Sequence, residues 1–143
     1  TETVAEKPSY RTAWRQRQFC LVPVDRFFEP CWETGKAVPW SIHRQDGEPF
    51  TVAGIWDRWN DRATGEIVVS FSMLTINADG HPIMGRFHRP GDERRSLVVV
   101  PRRAWHDWLA ATPCTASSML SEMPVDQFTS EEAGTAKPQL GLL

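Results

Sequence analysis

The 143-residue sequence lacks most of the features that point to a function on sight. Its three cysteines, Cys20, Cys31 and Cys114, are odd in number and share no C-x-x-C spacing. That argues against a disulfide framework and a zinc site, and for free thiols in a reducing, cytoplasmic setting. No apolar run approaches the length of a membrane span and nothing resembles a signal peptide, so no membrane partner is expected. There is no phosphate loop, no G-x-S-x-G elbow and no dinucleotide fingerprint, and no cofactor or metal is expected. With a net charge of −2 there is no global basic excess, so a nucleic-acid partner would have to be met by a local patch. Tyrosine is nearly missing, at one residue, whereas tryptophan occurs seven times.

What remains is ordinary globular composition, 41% hydrophobic and 24% charged, in a length that suits one domain with a real core. "KPSYRTAWRQRQ" predicts a helix, with Ser9 as N-cap after Pro8, Tyr10 and Trp14 one turn apart, and Arg11 and Arg15 as a neighbouring stripe. With Lys7 and Arg17 it is the most basic stretch of the chain. Strands are predicted at "FCLVPV" (19–24), "VPWSIHR" (38–44), "FTVAGIWDRW" (50–59), "IVVSFSMLTIN" (67–77) and "SLVVVP" (96–101). The turns between the first four are marked by Gly35, Gly47 and Gly65. "PRRAWHDWLAA" predicts a helix with Trp105, Trp108 and Leu109 on one face, and "MLSEMPVD" a last short strand. Short strands joined by tight turns make the class α+β, strand-rich, with a mostly antiparallel sheet or small barrel and flanking helices. Residues 1–128 form the domain and 129–143, "TSEEAGTAKPQLGLL", have the composition of a flexible tail.

Two places carry chemistry. In "VDRFFEPCW" the carboxylate of Glu29 follows two phenylalanines, and strand alternation puts it on the same face as Phe27. Such an acid holds its proton more tightly, unless it sits at an exposed strand end relieved by Pro30. Residues 78–95, "ADGHPIMGRFHRPGDERR", interrupt the strand pattern, and long loops of this kind are usually functional or mobile. His88 lies in this loop and can give and take protons near neutrality. His43, His81 and His106 are less favourable, at a strand end, before a proline and between helical tryptophans.

The strings "ETVAEKPSYRTAWRQRQFCLVPVDRFFEP", "GEPFTVAGIWDRWND", "SFSMLTINADGHPIMGRFH" and "RRSLVVVPRRAWHDWL", in this order, resemble the SOS response-associated peptidase (SRAP) family from about Glu2 to Leu109. The resemblance implies a DNA-damage-response protein. In the family an N-terminal cysteine, exposed by loss of methionine, closes a thiazolidine ring on the aldehyde of an abasic site in single-stranded DNA. The same cysteine serves a self-processing peptidase step. The glutamate after the paired aromatics and a histidine beyond the "L-T-x-x-A" strand handle protons, and they match Glu29 and His88. Glu2 and Thr3 match the end of an "N-A-R-x-E-T" string whose asparagine helps line the site.

Three departures follow from the comparison of motifs. The segment with the cysteine and the asparagine is not in these residues, which read as the C-terminal part of the domain, so whether they are an enzyme by themselves is open. Pro30 stands where many members have tryptophan, which moves a base-stacking contact to Trp32. "HRPGDERRS" replaces "H-D-R-M-P", leaving Arg89, Arg94 or Arg95 for the family's loop arginine. Single-stranded DNA with abasic sites is the partner implied, held through Lys7, Arg11, Arg89, Arg94 and Arg95. A non-catalytic single-strand-binding module with a structural Glu29 is the rival reading. A thiol hydrolase on Cys31, with His88 as base and Glu29 as orienter, is a lesser one.

Overall fold

The computed structural model describes residues 4–134, and every structural statement below refers to these. Strand β1 (Phe19–Val24) runs antiparallel to β4 (Phe50–Asn60), which pairs on its other edge with β5 (Ile67–Met73). A second antiparallel sheet has the order β2 (Phe27–Cys31), β3 (Val38–Arg44), β8 (Phe128–Glu132). A short ladder joins β6 (Thr75–Asn77) to β7 (Arg95–Leu97). Helix α1 (Pro8–Arg15) precedes the strands, and α2 (Trp105–Leu109) and α3 (Pro113–Met119) follow β7. The α+β class and the antiparallel pairing stand as expected, but the sheets stay open and no barrel closes.

Strand β4 is the wall between two cores, and its sequence shows why. Ala53 and Ile55 point to one side, where Trp14, Phe19, Val98, Val100 and Trp108 gather. Phe50 and Val52 point to the other, with Ile42, Met84, Phe87, Leu97, Val99 and Phe128. Residues 97–100 repeat the split, which is why "SLVVVP" is apolar without alternation: both of its faces are covered. The backbones follow suit, with Ala53 N donating to Val98 O (2.9 Å) and Val100 N to Thr51 O (2.8 Å). At Gly54, β1 and β5 close in from both edges. A Cβ there would lie 2.9 Å from Cys20 Sγ and 3.1 Å from Ser72 O, so only glycine fits without displacement.

Several expectations need correction. The N-cap position of α1 falls on Lys7, which makes no side-chain capping bond, and Pro8 opens the first turn, where its preset φ suits the helix and its missing N–H has no intrahelical partner to lose. The alternation from Cys20 to Pro30 is not one strand: the chain breaks at Asp25–Arg26 and crosses from the first sheet to the second. The run 67–77 breaks at Leu74, whose side chain is buried in the first core. On α2 only Trp108 is buried, its indole N–H bonded to Cys20 O at 2.9 Å, while Leu109 is exposed. No strand forms in 119–126. The last strand lies at Phe128–Glu132 instead, running from the end of the expected domain into the stretch read as a tail, because Phe128 plugs the second core and Thr129–Glu132 complete the free edge of β3. Residues 1–3 and 135–143, with Glu2, Thr3 and the rest of the expected tail, lie outside the described residues.

Candidate active site

The register of β2 on β3 fixes what Glu29 faces. Phe27, Glu29 and Cys31 oppose Ile42, Trp40 and Val38. Paired residues of an antiparallel ladder share a face. Cys31 and Ile42 belong to the second core and Phe27 and Trp40 pack against it. Glu29 therefore sits in an apolar row, whereas its neighbour Phe28, on the other face, is exposed. The Glu29 side chain keeps 26% of its accessible surface and lies at the mouth of that core. Burial pushes its carboxyl above the usual glutamate range, and the nearby His88 opposes part of that rise.

His88 reaches this carboxylate because the 78–95 loop folds back onto the open edge of β2. Cys31 and Phe87 form an antiparallel bridge, and His88 N donates to Pro30 O at 3.1 Å. His88 Nε2 lies 3.7 Å from Glu29 Oε2, with 19% of its side chain exposed. The backbone of His88 is left-handed, at φ +74°, a conformation that non-glycine residues adopt at a cost and that neighbours must hold in place. Its other ring nitrogen, Nδ1, is buried without a hydrogen-bond partner, and so is Trp32 Nε1 just past the end of β2.

The holding is done by residues that the sequence reading passed over. His81 is buried, its Nε2 2.7 Å from Met123 O, while its Nδ1 accepts from the backbone N–H of Ile83 (3.2 Å) and Met84 (3.1 Å). Those partners select the Nε2–H tautomer and pin the loop's first turn. Arg86, in the 3-10 turn Met84–Arg86, makes a forked pair with Glu33 (3.0 and 3.2 Å) and lies over the Trp40 ring at 4.5 Å. That fork holds the Glu33 carboxyl below its ordinary range. The only sequence sign of this anchoring was the apolar "PIM" following His81.

The predicted cations divide into two groups. Arg89 lies by the pair, its guanidinium 5.9 Å from the Trp32 ring. Lys7 and Arg95 meet elsewhere, on a cavity of about 580 Å³ that Tyr10, Thr75, Asn77 and Glu93 also line. Arg95 there bonds Thr75 O (2.7 Å) and Glu93 (2.8 Å). Arg94 turns away from Arg95 and spends its Nε on Gly85 O at 2.7 Å, with its backbone N–H on Asp79. Arg11 is exposed on α1, one turn beyond Lys7. Among the described residues no cluster of three or more His, Cys, Asp or Glu is placed to hold a metal, and no helix is long and apolar enough to cross a membrane.

The family model for the SOS response associated peptidase matches residues 1–136, nearly the whole chain. The chain belongs to the SRAP family. Among solved structures, a protein from Bordetella bronchiseptica is 39% identical with a TM-score of 0.89, the match covering 94% of this chain and 63% of that one. A protein from Bacteroides thetaiotaomicron is 25% identical with a TM-score of 0.79, over 94% of this chain and 56% of that one. A phage-related protein from Bordetella bronchiseptica, at 22% identity and a TM-score of 0.65, shares the fold. Among curated proteins there is no significant match. This SRAP chain thus spans less than two thirds of the solved chains it resembles.

Proposed function

We propose that this SRAP chain carries the proton-transfer half of a site that joins a protein covalently to abasic sites in single-stranded DNA. The observation that carries the reading is the Glu29–His88 pair: a carboxyl with a raised pKa, 3.7 Å from an imidazole at the mouth of an apolar core. A carboxyl in that state gives a proton and takes it back at higher pH than an ordinary surface glutamate does.

The chemistry fits the pair. An abasic sugar is mostly a closed ring, and its aldehyde appears when C1′–O4′ breaks, O4′ taking a proton from the His88 ring while the C1′ hydroxyl gives one up, which restores the ring. A free amine adds to C1′, and the carbinolamine loses its hydroxyl as water when Glu29 supplies a proton, leaving an imine. A thiol on the same residue adds to the imine carbon while its proton passes to nitrogen, and Glu29 is restored by the proton released from the amine. Aminothiol and aldehyde give thiazolidine and one water, with no redox change. Only an N-terminal cysteine offers amine and thiol two bonds apart. Cys20, Cys31 and Cys114 have their amines in peptide bonds, so the aminothiol would come from the longer protein.

Binding would combine cations on phosphates with an aromatic platform. Arg89, next to His88 in the chain, lies over the Trp32 ring, Lys7 and Arg95 line the 580 Å³ cavity, and Arg11 is exposed on α1 one turn beyond Lys7. The protein would act in the cytoplasm, at the nucleoid during repair, and its self-processing would use the same cysteine. The test is a denaturing gel with an abasic oligonucleotide. A full-length protein with a cysteine start gives a heat-stable shifted band, Glu29→Gln in it slows the band's appearance, and the 143-residue chain gives none. A shifted band from the 143-residue chain sinks the mechanism. A full-length protein that binds the oligonucleotide without ever crosslinking makes the domain a binding module.

A further inference from the structure

Strand β5 is the edge of its sheet, and it is apolar where it should be polar. Ile67, Val69, Phe71 and Met73 are 64%, 67%, 61% and 44% exposed. These four alternate along the strand and share one face, on which Phe71 pairs with Trp56 and Met73 with Gly54. Gly54 in turn pairs with Cys20, so the stripe runs on across the sheet. Cys20, Val22, Trp56, Val69 and Phe71 border a shallow apolar hollow of about 260 Å³ there. Lower on the same face Phe50 and Val52 are buried in the second core, so the sheet is covered at one end and bare at the other.

A free strand edge of this kind is normally blunted with charge, proline or a bulge. From Ile67 to Met73 there is none of the first two. A patch of this character marks a surface that something covers. Arg58, exposed and paired with Val69, is the one cation among the strand residues of this face, too few to argue for a nucleic-acid strand, whose phosphates need several. More than a third of the Bordetella and Bacteroides chains lies outside the region this chain matches, at TM-scores of 0.89 and 0.79 within it. We infer that the bare face of β4–β5 is an internal surface of the complete fold, covered by an apolar extended segment that the longer protein carries beyond these 143 residues and that pairs with the outer edge of β5. This goes beyond the DNA chemistry and does not depend on it.

Amide hydrogen exchange over Ile67–Met73, compared between the 143-residue chain and the longer protein, tests the inference. The longer protein, as a monomer, slows exchange at alternate β5 amides by roughly a hundredfold relative to the short chain. Phe71→Glu, opposite the uncharged Trp56, lowers the melting temperature of the longer protein by roughly 5–10 °C, since it buries an unpaired charge, and leaves that of the 143-residue chain nearly unchanged. Equal exchange in the two proteins overturns the inference. So does protection that appears only as concentration rises, which assigns the face to a second copy, and so does a longer protein indifferent to Phe71→Glu.

Discussion

On β2 the carboxylate of Glu29 faces an apolar core, while on β5 Ile67, Val69, Phe71 and Met73 face water. Both stretches reverse the usual sorting of side chains, and they do so in opposite ways. The β2 reversal is supported on every side. Phe87 and His88 close the strand edge, His81 ties down the loop that delivers them, and Arg86 is locked by Glu33 and Trp40. The β5 reversal has no support within the described residues. The first arrangement is what the proposed proton-transfer pair needs, and the second is what the inferred covering segment needs.

The largest effect that tests this contrast is on stability. Phe87 is fully buried beneath the pair, so Phe87→Ala costs about 3–5 kcal/mol of unfolding free energy. Phe71 is a ring of the same size on β5, and Phe71→Ala changes the stability of the 143-residue chain by only about 0.5 kcal/mol. Urea unfolding of both variants measures the gap. In the longer protein the gap narrows, because Phe71 then also fills a core. Similar costs for the two rings in the short chain would mean that β5 is covered from within it.

The same contrast explains what the sequence made legible. Elements with a clear apolar spacing could be read: β1, β3 and β4 match it to within a residue, and α1 forms where expected but ends three residues early, at Arg15. The apolar company of Glu29 could be read as well, whereas its approach to His88, at 3.7 Å, is expected only from the motif. Elements defined by distant partners could not be read. Thr129–Glu132 form a strand only because β3 leaves an edge open, and "TSEE" carries no sign of that. His81 reads as a loop histidine until Met123 O is found 2.7 Å away. Arg94 and Arg95 read as a pair of phosphate ligands, but adjacent residues of an extended chain point to opposite sides, and each finds a different acceptor. The apolar β5 was read correctly as a strand, and nothing in its letters says which of its faces is covered.

A smaller effect probes the backbone at the pair. His88 sits at φ +74°, where glycine is free of the Cβ penalty that alanine shares with histidine. His88→Gly is therefore more stable than His88→Ala by about 1 kcal/mol, although both lose the ring and both slow crosslinking in the full-length protein to the same degree. Thermal unfolding and the gel assay, run side by side, separate the two properties. Equal stability of the variants would show that the loop relaxes out of the left-handed conformation, and the delivery of His88 by the β2 edge would lose its structural basis.

The smallest effect is the pH dependence of stability contributed by Glu29. Burial, the larger influence, raises its carboxyl pKa, and His88 pulls it back in part. The folded state thus holds this proton more tightly than the unfolded chain does. Between the ordinary glutamate value and the raised one it binds more protons, so stability falls as pH rises through that window. The benefit is complete below the unfolded value and is lost as pH climbs through the folded one. Asp46, held at about 2 by Arg44 on an exposed turn, has the opposite sign, and its contribution is lost only as pH falls below the range of the experiment. Glu29→Gln removes the titration while keeping the size of the side chain. The stability of the variant relative to the parent should therefore increase from pH 4 to pH 6 in urea unfolding, and taking the difference cancels the shared groups that lie away from Glu29. If the parent instead gains on the variant as pH rises, attraction to His88 outweighs burial. Glu29 would then be a fixed anion in an ion pair, too acidic to supply the proton that the proposed imine step requires.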